Sequence, residues 1–442
     1  MRRLLDYINN NVLFKVASLN SVSVLVRIFA GFFTSKAIAI FIGPEGMALI
    51  GNLRNFFGSV QNVATLGIYS GVVKYIAELK NNTKELGKLI STAYYLGFIA
   101  TTAVCFVIYF NAEYINALVF LSYDFSYIFK ILALALPFYS LNLFAFSILN
   151  GFSKYRMLLI VNIIGQVLGL LITLILIWQN KLDGALISVV ISPALMFLIT
   201  FVGISNQRSL VNLIEFTNIK YEYIKKLSAF SIMALISAIA FPIVFIKIRN
   251  YIGANVGLQE AGFWEAMNRI SSYYLMFFNT LMTLYILPRF SEIDSVKEFR
   301  NEVFSFYKTI VPVFAIGLVL VYFLRSFIIS VVFTPEFGPM QELFFWQLLG
   351  DMVKVLSVVI AYQFVAKRMF WHFIITEIFS VVITYATSIY FIDLYGVKGA
   401  TIAHFVSYSM YYGIILMIFG TKLFGTLPEK ETEDLKENDD LE

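Results

Sequence analysis

The chain has 442 residues, of which 59% are hydrophobic and only 14% charged, and its mean hydropathy is +0.79. A water-soluble chain carries roughly 25% charged residues, so a soluble globular fold is excluded and a polytopic membrane protein is expected. The formal net charge of +5 conceals an acidic end: residues 428–442 hold eight acids and two lysines, leaving +11 on the remainder.

In chain order, the opening MRRLLDYINNN is basic but is not followed by a short apolar core and a small-residue cleavage site, so no cleaved signal peptide is expected. Crossing a bilayer takes about 20 apolar residues. Runs of that kind predict twelve transmembrane helices over 12–42, 47–79, 84–111, 126–151, 155–178, 183–206, 224–251, 259–290, 299–333, 341–366, 369–392 and 396–424. Short connections separate them, marked by Gly43-Pro44, Asp183-Gly184, Gly338-Pro339 and Tyr395-Gly396. The single cysteine, Cys105, excludes an intrachain disulfide and reads as a small buried hydrophobe. Residues 428–442 read as a disordered, solvated tail.

Lys and Arg set the orientation. On this alternation 22 of them fall on one side of the membrane and six, among them Lys247 and Arg249, on the other. Both termini are therefore expected to be cytoplasmic. The two halves also echo each other. Gly46 is followed six residues later by Asn52, and Gly262 six residues later by Asn268. Lys154-Tyr155-Arg156-Met157 precedes the fifth span and Lys367-Arg368-Met369 the eleventh; Gly184-Ala185 opens the sixth and Gly399-Ala400 the twelfth. Six helices per half predict a parallel repeat, with lobes over 1–212 and 213–427 and a substrate site between them.

Polar residues then pick out faces. Asn20, Ser23, Arg27, Gly31 and Thr34 share one side of the first span, and Asn52, Asn55, Ser59 and Asn62 one side of the second, with Arg54 beside them. Glu265, Asn268 and Ser272 align on the eighth span, with Arg269 four residues after Glu265; Gln347, Asp351 and Lys354 align on the tenth. Charges at mid-bilayer cost on the order of 3 kcal/mol or more unless they face water or a partner. A shared, mostly cationic central cavity explains these stripes together. Glu265–Arg269 and Asp351–Lys354 either neutralise each other at helical spacing or contact substrate. No acid lies within one helical turn of Arg27 or Arg54 in the sequence, which favours a cavity role for both. The guanidinium fork suits a phosphate. Lys36 sits near the outer end of its span and can snorkel to the interface. Glu377 is the most isolated acid in an apolar run, open to proton coupling or to a local hydrogen bond with Thr or Ser. Trp264 and Trp346 lie beside polar stripes, where they either stack on a sugar or pack; His372 and His404 read as interface or packing histidines; Trp178 and Trp371 fit an interfacial belt. No P-loop, nucleophile elbow or metal-ligand cluster is present, so an enzyme is not expected, and basic loops give no reason to expect nucleic-acid binding.

Three runs carry a family resemblance: SVSVLVRIFAGFFTSKAIAIFIGPEGMALIGNLRN over 21–55, GIYSGVVKYIAE over 67–78, and WQLLGDMVKVLSVVIAYQFVAK over 346–367, followed by Glu377. They resemble Wzx-type flippases of lipid-linked oligosaccharides, most nearly the O-antigen translocases and the flippases of the enterobacterial common antigen precursor, and the likeness extends over residues 15–424. The resemblance implies the multidrug/oligosaccharidyl-lipid/polysaccharide exporter fold, all-α, with twelve helices in two lobes around a central cavity. It implies movement of an undecaprenyl-diphosphate-linked oligosaccharide from the cytoplasmic to the periplasmic leaflet of the bacterial inner membrane. A polysaccharide polymerase and a chain-length regulator are the implied partners besides membrane lipid. Arg27, Lys36, Arg54, Lys74 and Lys354 match the family's basic cavity residues, and Asp351 and Glu377 its acids. With Arg269, Asn62, Asn268 and Trp264 these form the expected substrate site, and Asp351, Glu377 and Glu265 are expected in ion coupling or structure. No cofactor is expected; a coupling ion, H+ or Na+, is the one accessory allowed. Two alternatives remain: a drug/cation antiporter of the same fold, which would favour acids in its cavity, and a non-transporting scaffold for polysaccharide assembly, which would not need aligned polar faces.

Overall fold

A computed structural model describes residues 12–120, 122–205 and 219–425. The acidic tail and the predicted lobe boundary at 212/213 lie outside the described residues. Within them the chain is helical from end to end. The helices are α1 (Val12–Phe41), α2 (Gly43–Ala64), α3 (Tyr69–Leu79), α4 (Thr83–Phe110), α5 (Ala112–Phe120), α6 (Ser126–Gly151), α7 (Tyr155–Ser205) and α8 (Tyr221–Asn255). They continue as α9 (Leu258–Leu281), α10 (Leu287–Glu292), α11 (Val296–Phe323), α12 (Arg325–Val332), α13 (Phe344–Ala366), α14 (Phe370–Tyr395) and α15 (Val397–Phe424). A π-helical turn, Met282–Ile286, joins α9 to α10, and a 3₁₀ segment, Pro335–Leu343, leads into α13.

Among the described residues, ten stretches are long and apolar enough to cross a membrane. The protein is thus an all-α, multi-pass membrane protein. Ten differs from twelve for two visible reasons. Tyr155–Ile204 counts once but bends at Lys181, whose φ of 46° and ψ of −116° are not helical, so the predicted fifth and sixth spans lie within it. The predicted second span, 47–79, is not counted, because it is two helices, α2 not apolar enough and α3 too short to cross a membrane. It stops at Ala64 and restarts at Tyr69, with Leu66 and Gly67 at φ 52° and 59°. Gly67 N–H closes the end of α2 by donating to Asn62 O at 3.0 Å. The apolar run over 47–79 predicts one helix, but a positive φ is a backbone property that only Gly67 advertises. The short helix α5 was also not anticipated.

The chain forms two compact units, one of residues Met1–Asn250 with Val332–Thr334 and one of Tyr251–Val331 with Pro335–Glu442. In the first, Ile68, Val72 and Ile76 of the α2–α3 region pack with Leu86, Leu89 and Ile90 of α4 and with Leu227 of α8. Glu85 fastens this corner. Its carboxylate accepts from Lys88 Nζ at 2.8 Å, Lys220 Nζ at 3.1 Å and Tyr223 OH at 2.8 Å, tying the start of α8 to α4. In the second unit Leu275 and Phe278 of α9 meet Phe299 and Phe306 of α11, Val355, Val359 and Phe364 of α13 and Ile415 and Phe419 of α15. Each buried apolar side chain of this size contributes roughly 1.5–3 kcal/mol relative to water. The outward faces are apolar too: Phe29, Phe33, Phe106, Phe323 and Met417 are exposed, as expected for surfaces solvated by lipid tails.

Candidate functional site

The expected site residues divide between the units. Arg27, Lys36, Arg54, Asn62 and Lys74 lie in the first, and Trp264, Glu265, Asn268, Arg269, Asp351, Lys354 and Glu377 in the second.

In the first unit Arg27 on α1 and Arg54 on α2 are exposed, Arg27 within the candidate membrane span Val22–Phe41. Lys36, half-buried, donates its ammonium to Phe333 O, so it has a specific acceptor and does not simply snorkel. Lys74 on α3 lies 3.6 Å from Glu78 and over the Tyr75 ring at 5.1 Å. Asn62 donates to Gly58 O at 2.9 Å, one turn before the α2–α3 break. The neighbouring Asn52 does something the stripe did not foretell. Its Oδ1 accepts from Arg249 Nη1 at 2.7 Å, and its Nδ2 reaches Val119 O at 2.8 Å and Asn250 Oδ1 at 2.6 Å. Arg249, placed on the outer surface by its sequence position, is only 2% exposed. A polar amide from α2 and the fold of α8 give the guanidinium a buried seat that no local rule predicts.

In the second unit Glu265 and Arg269 form an ion pair, the first of the two roles left open for them, Nε to Oε1 at 3.0 Å, with both residues buried. Trp264 is buried and Asn268 donates to its carbonyl at 3.0 Å. The second foretold pair is replaced by another. Asp351, fully buried on α13, meets His404 Nε2 of α15 at 2.9 Å and accepts from Ser271 Oγ of α9 at 2.7 Å and from Tyr274 OH. No ion pair joins Asp351 to Lys354, whose ammonium rests over the Tyr408 ring at 5.1 Å. His404 is therefore the partner of a buried acid rather than an interface histidine. Glu377 on α14 is half-buried. Among the described residues no group of three or more His, Cys, Asp or Glu is placed to hold a metal ion.

The family model for polysaccharide biosynthesis proteins matches residues 13–294, more than half of the chain. The chain belongs to the polysaccharide biosynthesis protein family. It is 28% identical over 416 residues to the lipid III flippase of Escherichia coli K12, an alignment covering 92% of this chain and 97% of that protein, and equally so to the lipid III flippase of Shigella flexneri. Among solved structures, this family member superposes on an inward-facing multidrug resistance MATE transporter of the MOP superfamily with a TM-score of 0.69 at 13% identity, covering 90% and 95% of the two chains. It superposes on the lipid II flippase MurJ, inward closed, with a TM-score of 0.68 at 16% identity, covering 94% and 88%. The fold is thus shared about equally with a multidrug transporter and a lipid flippase, so fold alone does not choose between those activities.

Proposed function

We propose that the protein is a flippase that moves an undecaprenyl-diphosphate-linked oligosaccharide from the cytoplasmic to the periplasmic leaflet of the bacterial inner membrane, by alternating access and without bond chemistry of its own. The observation that carries this reading is the exposure of Arg27 on α1, within a stretch long and apolar enough to cross a membrane. A guanidinium in hydrocarbon is costly unless it meets water or an anion, and Arg27 is exposed within a long apolar span. A diphosphate supplies paired oxygens that match the guanidinium fork. The sugar supplies the reason for a protein path, because each hydroxyl stripped of hydrogen bonds in bare hydrocarbon costs roughly several kcal/mol. The likeness to lipid III flippases along nearly the whole chain supports the same class of substrate. Lys36, Lys74 and Lys354 add positive charge, whereas a carrier of cationic drugs needs acids.

Both termini lie in the cytoplasm on this reading, and a polysaccharide polymerase and chain-length regulator act on the delivered product. The test is reconstitution into proteoliposomes with a labelled undecaprenyl-diphosphate oligosaccharide, following its accessibility to an external lectin. Saturable appearance of the sugar on the far leaflet is expected. Efflux of a cationic dye with no movement of the lipid would establish the antiporter instead.

A further inference from the structure

One end of the second unit holds a pocket of about 380 Å³, within the roughly 300–1,000 Å³ range of small-molecule sites. It lies where three candidate membrane spans end, Val296–Phe323, Pro335–Ala366 and Val397–Phe424, so it belongs to the level at which helix ends meet water and head groups. Its wall is aromatic. Phe345, in the first turn of α13, meets Tyr322 at the end of α11 edge-on at 6.1 Å and Trp346 edge-on at 5.2 Å. Trp346 also packs on Phe405, at 5.7 Å, whereas Phe345 is left 47% exposed.

The polar groups of the pocket carry both signs. Arg325, at the start of α12, lies over the Tyr322 ring at 4.4 Å and donates to Tyr322 O at 2.8 Å, so its guanidinium is held in place. Gln341 of the 3₁₀ segment accepts from Ser326 Oγ at 3.1 Å through Oε1, which leaves its amide N–H groups unused. Lys398, in the first turn of α15, and Glu342 have neither a hydrogen bond nor an ion pair from their side chains among the described residues, and the Trp346 indole N–H has no acceptor there.

This mixture argues against the simplest occupants. Glu342 repels a phosphate. Arg325 and Lys398 repel a quaternary ammonium, which an aromatic wall would otherwise suit. A sugar ring answers to all of the groups at once. Its apolar C–H face lies against Phe345, its oxygens accept from Lys398, Arg325, Gln341 and Trp346, and its hydroxyls donate to Glu342. Hydrogen bonds with one charged partner are roughly twice as strong as neutral ones, and three of these five groups are charged.

We propose that this pocket is a glycan site at the periplasmic end of the second unit, which takes a pyranose ring of the oligosaccharide as it leaves the protein. The inference rests on the flippase reading for the source of the glycan and for the side of the membrane. It is separate from Arg27 and Arg54, which lie in the first unit.

The experiment is equilibrium dialysis of the purified full chain against radiolabelled free oligosaccharide, cleaved by mild acid from the lipid used in the proteoliposome assay, in a detergent without a sugar head group. Wild type should bind the glycan saturably and at one site. Lys398→Gln and Phe345→Ala should each weaken binding roughly five- to tenfold. Lys398→Arg should stay close to wild type, and an excess of inorganic phosphate should leave the glycan bound. No binding by wild type, undiminished binding by both Lys398→Gln and Phe345→Ala, or displacement by inorganic phosphate would each overturn the proposal, and the first and last need no variant to fold. The flippase reading fails separately. A chain that binds the glycan through Phe345 and Lys398 yet moves no lipid-linked oligosaccharide overturns that reading and leaves the site standing; a chain that moves the lipid without binding the free glycan does the reverse.

Discussion

Arg249 Nη1 donates to Asn52 Oδ1 across 2.7 Å, joining α8 to α2 within the first unit although 197 residues separate the two along the chain. Asn52 spends its amide group on Val119 O and Asn250 Oδ1 at the same time, so one buried side chain ties α2 to the end of α5 and to α8. Asn52→Leu should cost about 2 kcal/mol, the scale of a buried hydrogen bond to a charged group. It should appear as a lower unfolding temperature in detergent, with Asn52→Asp recovering the bond to Arg249 but not those to Val119 and Asn250. Unchanged thermal stability of Asn52→Leu would show that the junction is held by something else.

The α2–α3 break depends on Gly67. At φ 59° an added Cβ would also lie 2.8 Å from Ala234 Cβ on α8. Gly67→Ala should therefore destabilise by more than the roughly 1–2 kcal/mol of the left-handed backbone alone. Adding Ala234→Gly should return the contact part and leave the backbone part. The comparison is made by thermal unfolding of the two single variants and the double variant.

Arg27→Ala and Arg54→Ala should each reduce lipid translocation at least about tenfold, ~1.4 kcal/mol, while the proteins accumulate normally in the membrane. Arg→Lys should restore only part of the activity, because the charge returns without the bidentate fork. Wild-type translocation by both alanine variants in the proteoliposome assay would remove these residues from the site.

The orientation set by Lys and Arg is testable by reporter fusions. Fusions at Asp183 and Gly338 should report the periplasm and a fusion at Lys220 the cytoplasm. A periplasmic signal at Lys220 would overturn the proposed orientation and the parallel repeat with it.

What could be read along the chain was what short range decides. Helix ends at Thr83–Phe110, Ser126–Gly151 and Val397–Phe424 fall within a residue or so of the predicted ones, because apolar run length and Gly/Pro punctuation act locally. Glu265 and Arg269 were legible as a pair because an i, i+4 spacing on one helix fixes their distance. The break at Thr65–Ile68 was not, since a continuous apolar run and one interrupted by a positive-φ turn look alike until the backbone angles are known.

The membrane class, the basic asymmetry of the connections and the position of Arg27 within a long apolar run are properties of the sequence itself. They follow from the bilayer thickness and the cost of charge in it, which act on each helix separately. Which acid meets which base was decided by tertiary structure. Asp351 takes His404 from 53 residues away and not Lys354 one turn along, because Gly350 lets α15 come close and Ser271 and Tyr274 of α9 complete the carboxylate. Arg249 is buried because Asn52 happens to face it. In a chain whose surface and interior are both apolar, hydrophobic pattern does not say which side of a helix faces protein, and only the packing of whole helices brings distant polar groups within bonding distance.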